Sequence, residues 1–174
     1  MIKCLIINHD TKYICKLIDL FNGCDVMNYR NFDPLKCETY NYIILSGGPI
    51  NIDGDNIKEE KMWLKETNKP ILGICLGFQI LCLIYGSKMN KFEHNRKLNE
   101  KLKFVDDEYN MFYNHIYYFK EIPMDFVGEI KNNLITYIKH KTKPILAFQG
   151  HPEMTEHGYK IKDFFIEKIV KMKF

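Results

Sequence analysis

The 174-residue chain lacks any apolar run near the ~20 residues that a bilayer-crossing helix needs, so no membrane association is expected. It has no internal repeats and no Pro/Gly/Ser linker, and the expectation is one domain over residues 1–174. No CxxC pair or clustered Cys/His spacing occurs, so no metal site is expected, and no cofactor motif stands out. The six cysteines have no paired spacing, and several sit in apolar patterns, as reduced buried thiols do. A GxxxxGK[ST] loop is missing, which excludes ATP-driven chemistry by this chain alone. An excess of one charge is missing too: 25 Lys+Arg stand against 22 Asp+Glu, and the lysines are scattered among acids. A nucleic-acid partner, which calls for a concentrated basic stripe, is not expected. MIKCLIINHD carries no apolar leader with a small-residue cleavage site, so a cytoplasmic location is expected.

Short apolar runs alternate with helical patterns. Strands are expected at residues 2–7, 25–29, 42–45, 70–74 and 144–149. Helices are expected from Asp10 or Thr11 to Asn22, from Asp55 to Thr67, after Cys75, and over IKDFFIEKIV near the end. Residues 126–130 and 134–139 read as a hairpin around Asn132 and Asn133, since Asn tolerates positive φ. Residues 87–119 show no long amphipathic period and read as short strands and loops. Strands alternating with helices imply an α/β fold with a parallel sheet covered on both faces and functional loops at the strands' carboxyl ends.

Three of those loops carry chemistry. GICLGFQ places Cys75 between Gly73 and Gly77 at a strand-to-helix turn, the spacing of a nucleophile elbow, where larger side chains would collide. A thiolate there is favoured by the unpaired N–H groups of the helix start. The other reading is a buried structural cysteine beside two accidental glycines. PILAFQGHPE places His151 and Glu153 after a strand, two residues apart, so the carboxylate can orient the imidazole. SGGP, at residues 46–49, is by itself only a turn; beside a nucleophile its glycines let backbone N–H groups approach an oxyanion.

Together ILSGGP, PILGICLGFQ and QGHPE resemble the class I (triad) glutamine amidotransferases over nearly the whole chain. The resemblance implies a flavodoxin-like three-layer sandwich with a mostly parallel sheet and a small antiparallel extension. It implies Cys75 as nucleophile, His151 as base and then acid, and Glu153 as orienter. The amides of Gly48 and Leu76 match the oxyanion hole, and Gly47, Gln79 and Tyr117 fall at substrate-contacting positions. It also implies L-glutamine as substrate, a γ-glutamyl thioester, and ammonia delivered to a separate ATP-dependent synthetase. SGGP, the KTKP run at 141–144 and the stretch from His115 to Pro123 look most like the amidotransferase subunit of GMP synthetase, and hence purine biosynthesis. NHD at 8–10 is instead similar to the anthranilate and aminobenzoate synthase subunits.

Three departures stand out. Ile116 and Tyr117 replace a small residue and an Asp that helps hold the α-amino group of glutamine in the GMP synthetase branch. Gly150 replaces a Phe before HPE, and the interval from Cys75 to His151 is short. These keep two alternatives open: a stand-alone hydrolase acting on another γ-glutamyl amide, and a catalytically idle regulatory relative. Elsewhere, His115 reads as a packed surface histidine, and His9, His94, His140 and His157 as solvated. The charged alternation at 57–66 reads as a solvated helix face, and Cys82 as core. The aromatic residues from Tyr109 to Phe119 read as core, substrate wall or partner interface.

Overall fold

The central strands form where about four apolar residues run without polar interruption, the pattern of strands buried on both faces. The computed structural model describes residues 2–52 and 57–171. In chain order the elements are β1 (Cys4–Asn8), α1 (Ile14–Phe21), β2 (Asp25–Asn28), α2 (Pro34–Glu38), β3 (Tyr42–Leu45), α3 (Lys58–Glu66), β4 (Ile71–Ile74) and α4 (Leu76–Ile84). There follow β5 (Met89–Phe104), β6 (Asp107–Phe119), β7 (Phe126–Lys131), β8 (Leu134–His140), β9 (Ile145–Phe148) and α5 (Gly158–Phe165), which runs on into a π-helical turn, Ile166–Val170. The main sheet has the order β2-β1-β3-β4-β9-β8-β7, the first five strands parallel and the last two antiparallel. Its parallel part has the flavodoxin-like order, with ligand sites expected beyond the carboxyl ends.

Alternation along each strand divides the core in two. Leu5, Ile43, Leu45 and Ile71 face α3 and α4, packing with Leu64, Phe78 and Leu81. Ile6, Ile44, Leu72 and Leu146 face α1 and α5, packing with Leu17, Phe21, Ile161 and Phe165. The result is the expected three-layer sandwich. Register pairs Leu45 with Gly73 and Ile74 with Phe148, so the segments leaving β3, β4 and β9 emerge together on one edge.

Several expectations are corrected. α1 starts at Ile14, not at Asp10 or Thr11, because polar side chains close a turn there first. Asn8 Oδ1 accepts the Thr11 N–H (3.1 Å), Thr11 Oγ1 accepts that of Tyr13 (3.2 Å), and Asp10 takes φ of 61°. The expected start of α3 at Asp55 lies outside the described residues. Residues 87–119 form not short strands but a long antiparallel ribbon, β5 against β6, separate from the main sheet. Cys4 and Cys24 are not free thiols but a disulfide. Cys4 heads β1 and Cys24 precedes the neighbouring strand β2, which brings their Cα atoms to 4.6 Å.

The histidines also differ. His9 is buried rather than solvated and pairs with Glu60, so the α3 face is not wholly solvated. His140 is buried, its Nδ1 accepting the Thr142 and Lys143 amides, and His157 Nδ1 accepts that of Asn110. Cys82 lies in the core as expected. Among the described residues no helix is long and apolar enough to cross a membrane.

Candidate active site

β4 delivers Cys75 to the carboxyl edge, and the elbow there is tight. The Cys75 amide still pairs with the Phe148 carbonyl (2.8 Å) and its carbonyl already accepts the Gln79 amide (3.0 Å), so strand ends and helix begins on one residue. That requires φ of 49° at a non-glycine position, a strain of about 1–3 kcal/mol that surrounding packing must hold. The flanking glycines are enforced by contact. A Cβ on Gly77 would lie 2.5 Å from Leu45 Cβ, and one on Gly73 2.9 Å from Ala147 Cβ.

β9 delivers the second group. The His151 amide bonds the Phe112 carbonyl on the ribbon (2.7 Å), and Pro152–Met154 coils into a 3₁₀ turn that swings Glu153 back under the ring. His151 Nδ1 lies 2.8 Å from Glu153 Oε1, both side chains nearly fully buried. Burial opposes a charged imidazole, but the Cys75 sulfur and then the Glu153 carboxylate outweigh it and hold His151 above the usual range, at about 10. The ring of Tyr13 stands edge-on to His151 at 5.0 Å between centroids.

β3 delivers the glycine loop. A Cβ on Gly47 would sit 2.8 Å from His151 Cε1 and 3.4 Å from Cys75 Cβ, so only a bare backbone fits between imidazole and thiol. Gly48 and Leu76 line the same cavity as Cys75 and His151, and Leu76 opens α4, where amides have no intrahelical acceptor. The cavity measures about 500 Å³. Gln79 is buried beside it, its Nε2 donating to the Tyr117 carbonyl and to Gln149 Oε1, both at 3.3 Å. Tyr117 forms part of the opposite wall, with Lys91 Nζ 5.9 Å from its ring centre.

Every site residue expected from sequence therefore lies in or against one cavity, with Glu153 behind His151 and Gly47 beneath the pair. Asn114, Gln149, Tyr13 and His115 are among the further residues in or against it. Asn114 places its carbonyl 3.9 Å from Cys75 Sγ, and Gln149 its Nε2 3.8 Å from the same sulfur. Tyr13 carries no mark in the sequence, whereas Gln149 directly follows β9 and immediately precedes Gly150 and His151. His115 corrects the expectation of a surface histidine: it is buried on β6, and Tyr109, Met111, Tyr113 and His115 alternate inward, a period-2 signal available in the sequence. Burial lowers its proton affinity to about 4 despite the Tyr117 carbonyl 2.8 Å from Nδ1, so the ring is neutral and donates to that carbonyl. Gly150 has a local cause: a Cβ there would meet Met111 Cγ at 2.1 Å.

The other buried free thiols are not candidates, because burial pushes Cys37 up to about 12 and Cys82 well up. Among the described residues no three His, Cys, Asp or Glu side chains gather as a metal site would need.

The family model "Glutamine amidotransferase class-I" matches residues 11–168. One subunit of the glutamine-hydrolysing GMP synthase of Methanocaldococcus jannaschii is 35% identical over 132 residues, covering 68% of this chain and 69% of that one. A protein of Haemophilus influenzae named as anthranilate synthase component II is 30% identical over 182 residues, covering 91% and 93%. The fold matches a crystal structure from Thermoplasma acidophilum, assigned as a GMP synthase subunit, with TM-score 0.87 at 24% identity over 99% of this chain and 96% of that one.

Proposed function

The chain belongs to the class-I glutamine amidotransferase family, and from that premise we propose that Cys75, His151 and Glu153 hydrolyse the side-chain amide of L-glutamine and that the ammonia passes to a separate ATP-dependent synthetase. GMP synthetase is the favoured acceptor system, because the GMP synthase subunit of Methanocaldococcus jannaschii matches this chain at comparable length. The observation that carries the reading is the thiol on a strained turn beside a buried imidazole that Glu153 holds at 2.8 Å.

The steps follow from the geometry. The Cys75 thiolate attacks the amide carbon, and the carbonyl electrons move to oxygen, where the Gly48 and Leu76 amides receive the charge. The His151 imidazolium gives its proton to the departing nitrogen, which leaves as ammonia, and a γ-glutamyl thioester remains. His151, now neutral, takes a proton from water as the water oxygen attacks the thioester. The second oxyanion collapses, expelling the Cys75 thiolate and releasing glutamate. Glu153 keeps the ring in the tautomer that serves both steps.

A second reading, a hydrolase of larger γ-glutamyl conjugates, is favoured by one feature. Ile116 and Tyr117 line a cavity of about 500 Å³ where the resemblance calls for a carboxylate. The test is glutamate release from L-glutamine and from a γ-glutamyl conjugate panel, by the chain alone and with the synthetase subunit. Turnover of glutamine that disappears in Cys75→Ala is expected; conjugates turned over with glutamine inert would select the second reading. No glutamate above the Cys75→Ala control from either would overturn both.

A further inference from the structure

The catalytic steps leave one buried pair of titratable groups without a role. His9, just beyond β1, is 0% exposed and Glu60, on α3, 1%. His9 Nε2 lies 3.0 and 3.1 Å from the two Glu60 carboxylate oxygens. Burying a carboxylate against an imidazole is costly unless geometry is fixed, so each side chain holds the other in place. The His9 ring also stacks on Tyr29 at 5.8 Å, which leaves it one seat.

The backbone of His9 touches the glycine loop at both ends. Its amide donates to Ser46 Oγ (2.9 Å), and that hydroxyl donates to the Gly47 carbonyl (2.7 Å). The Ser46 carbonyl accepts the Gly77 amide at the start of α4 (3.2 Å), so the same residue is tied to the elbow. Gly48 lies flat on His9: a Cβ there would sit 1.9 Å from the His9 carbonyl oxygen and 3.0 Å from its Cβ. The loop's path at Gly48 is therefore set by where His9 stands.

We propose that His9 and Glu60 are positioning residues for the oxyanion loop. Glu60 fixes the imidazole, and the His9 backbone fixes Gly48 at the distance its amide needs. The proposal rests on the glutamine-hydrolysis reading above. An oxyanion donor is worth ~10²–10³ in kcat, and displacement by about an ångström costs up to ~10²-fold.

The test uses Glu60→Gln in the full chain, with the synthetase subunit. We expect kcat to fall about 10- to 100-fold while KM stays within about threefold, because Gly48 meets charge that develops only in the transition state. Backbone hydrogen exchange at residues 46–48 should speed up, with β1 and β4 unchanged. Should Glu60→Gln not fold, His9→Leu with Glu60→Leu replaces the pair by an apolar one and carries the same expectations. Both changes together support the proposal. Either change alone, neither change, or parallel loss of kcat, KM and sheet protection overturns it. If the wild-type chain turns over no γ-glutamyl amide, the functional reading fails, and the exchange comparison alone decides the positioning: unchanged exchange at 46–48 overturns it.

Discussion

His151 and His115 share one cavity, yet their surroundings push their proton affinities apart. For His151 the Cys75 sulfur and Glu153 outweigh burial, and for His115 burial prevails over the Tyr117 carbonyl. A histidine raised on folding stabilises the native state fully below its unfolded value of ~6.5, and that contribution is lost as pH rises through about 10. A histidine lowered on folding does the reverse, its contribution present above ~6.5 and lost as pH falls toward about 4. Urea unfolding is therefore expected to show stability falling on both sides of pH ~6.5. His151→Asn should flatten the alkaline limb between pH 7 and 10, and His115→Asn the acid limb between pH 6 and 4. An alkaline limb unchanged in His151→Asn would mean that the folded chain does not hold the imidazolium.

At the scale of elements, the elbow is a joint between β4 and α4 pressed against β3. Gly77→Ala would put a methyl 2.5 Å from Leu45 Cβ and 2.6 Å from the Leu45 carbonyl oxygen, neither of which can swing aside. Overpacking of this kind costs about 1–3 kcal/mol, and in a chain of this size each kcal/mol lowers Tm by about 2–4 °C. The expected result is a Tm drop of about 2–12 °C with a larger loss of kcat, since α4 carries the Leu76 amide. A Tm and kcat equal to wild type would show that the elbow tolerates the shift.

The elements that sequence makes legible are those whose cause is local. Gly73, Cys75 and Gly77 lie within five residues, and Asn132 and Asn133 take φ of 52° and 60° in the turn that their type favours. What stays hidden depends on distant partners. His9 reads as solvated because Glu60 is 51 positions away, and the Cys4–Cys24 link needs β1 beside β2. The ribbon escapes notice because β5 carries charged and polar side chains along a mostly exposed strand and shows no apolar alternation until Leu102. His115 is buried only because that ribbon folds over the elbow.

For the whole molecule, the site opens at one edge of the sheet, where Lys12, Ile50 and Lys91 form part of the cavity wall from three separate segments. A synthetase that receives ammonia from Cys75 has to cover this edge. Hydrogen exchange on adding the synthetase subunit should therefore slow at residues 11–13, at Ile50 and at residues 91–95. The far strand β7 and helix α5 should be unchanged. Protection confined to β7 or α5 would place the partner elsewhere and separate ammonia release from its use.

The ribbon has a consequence for descent. Cys75, His151, Glu153 and Gly48 stand on the carboxyl ends of the main sheet, whereas Asn114, His115 and Tyr117 stand on β6, whose long pairing is with β5 alone in a second sheet. At Asn114 and Tyr117 it is the carbonyl oxygen that meets Cys75 and Gln79, a group every residue type supplies. Side chains along β6, and with them the molecules admitted, can therefore change across lineages while the proposed reacting groups stay untouched.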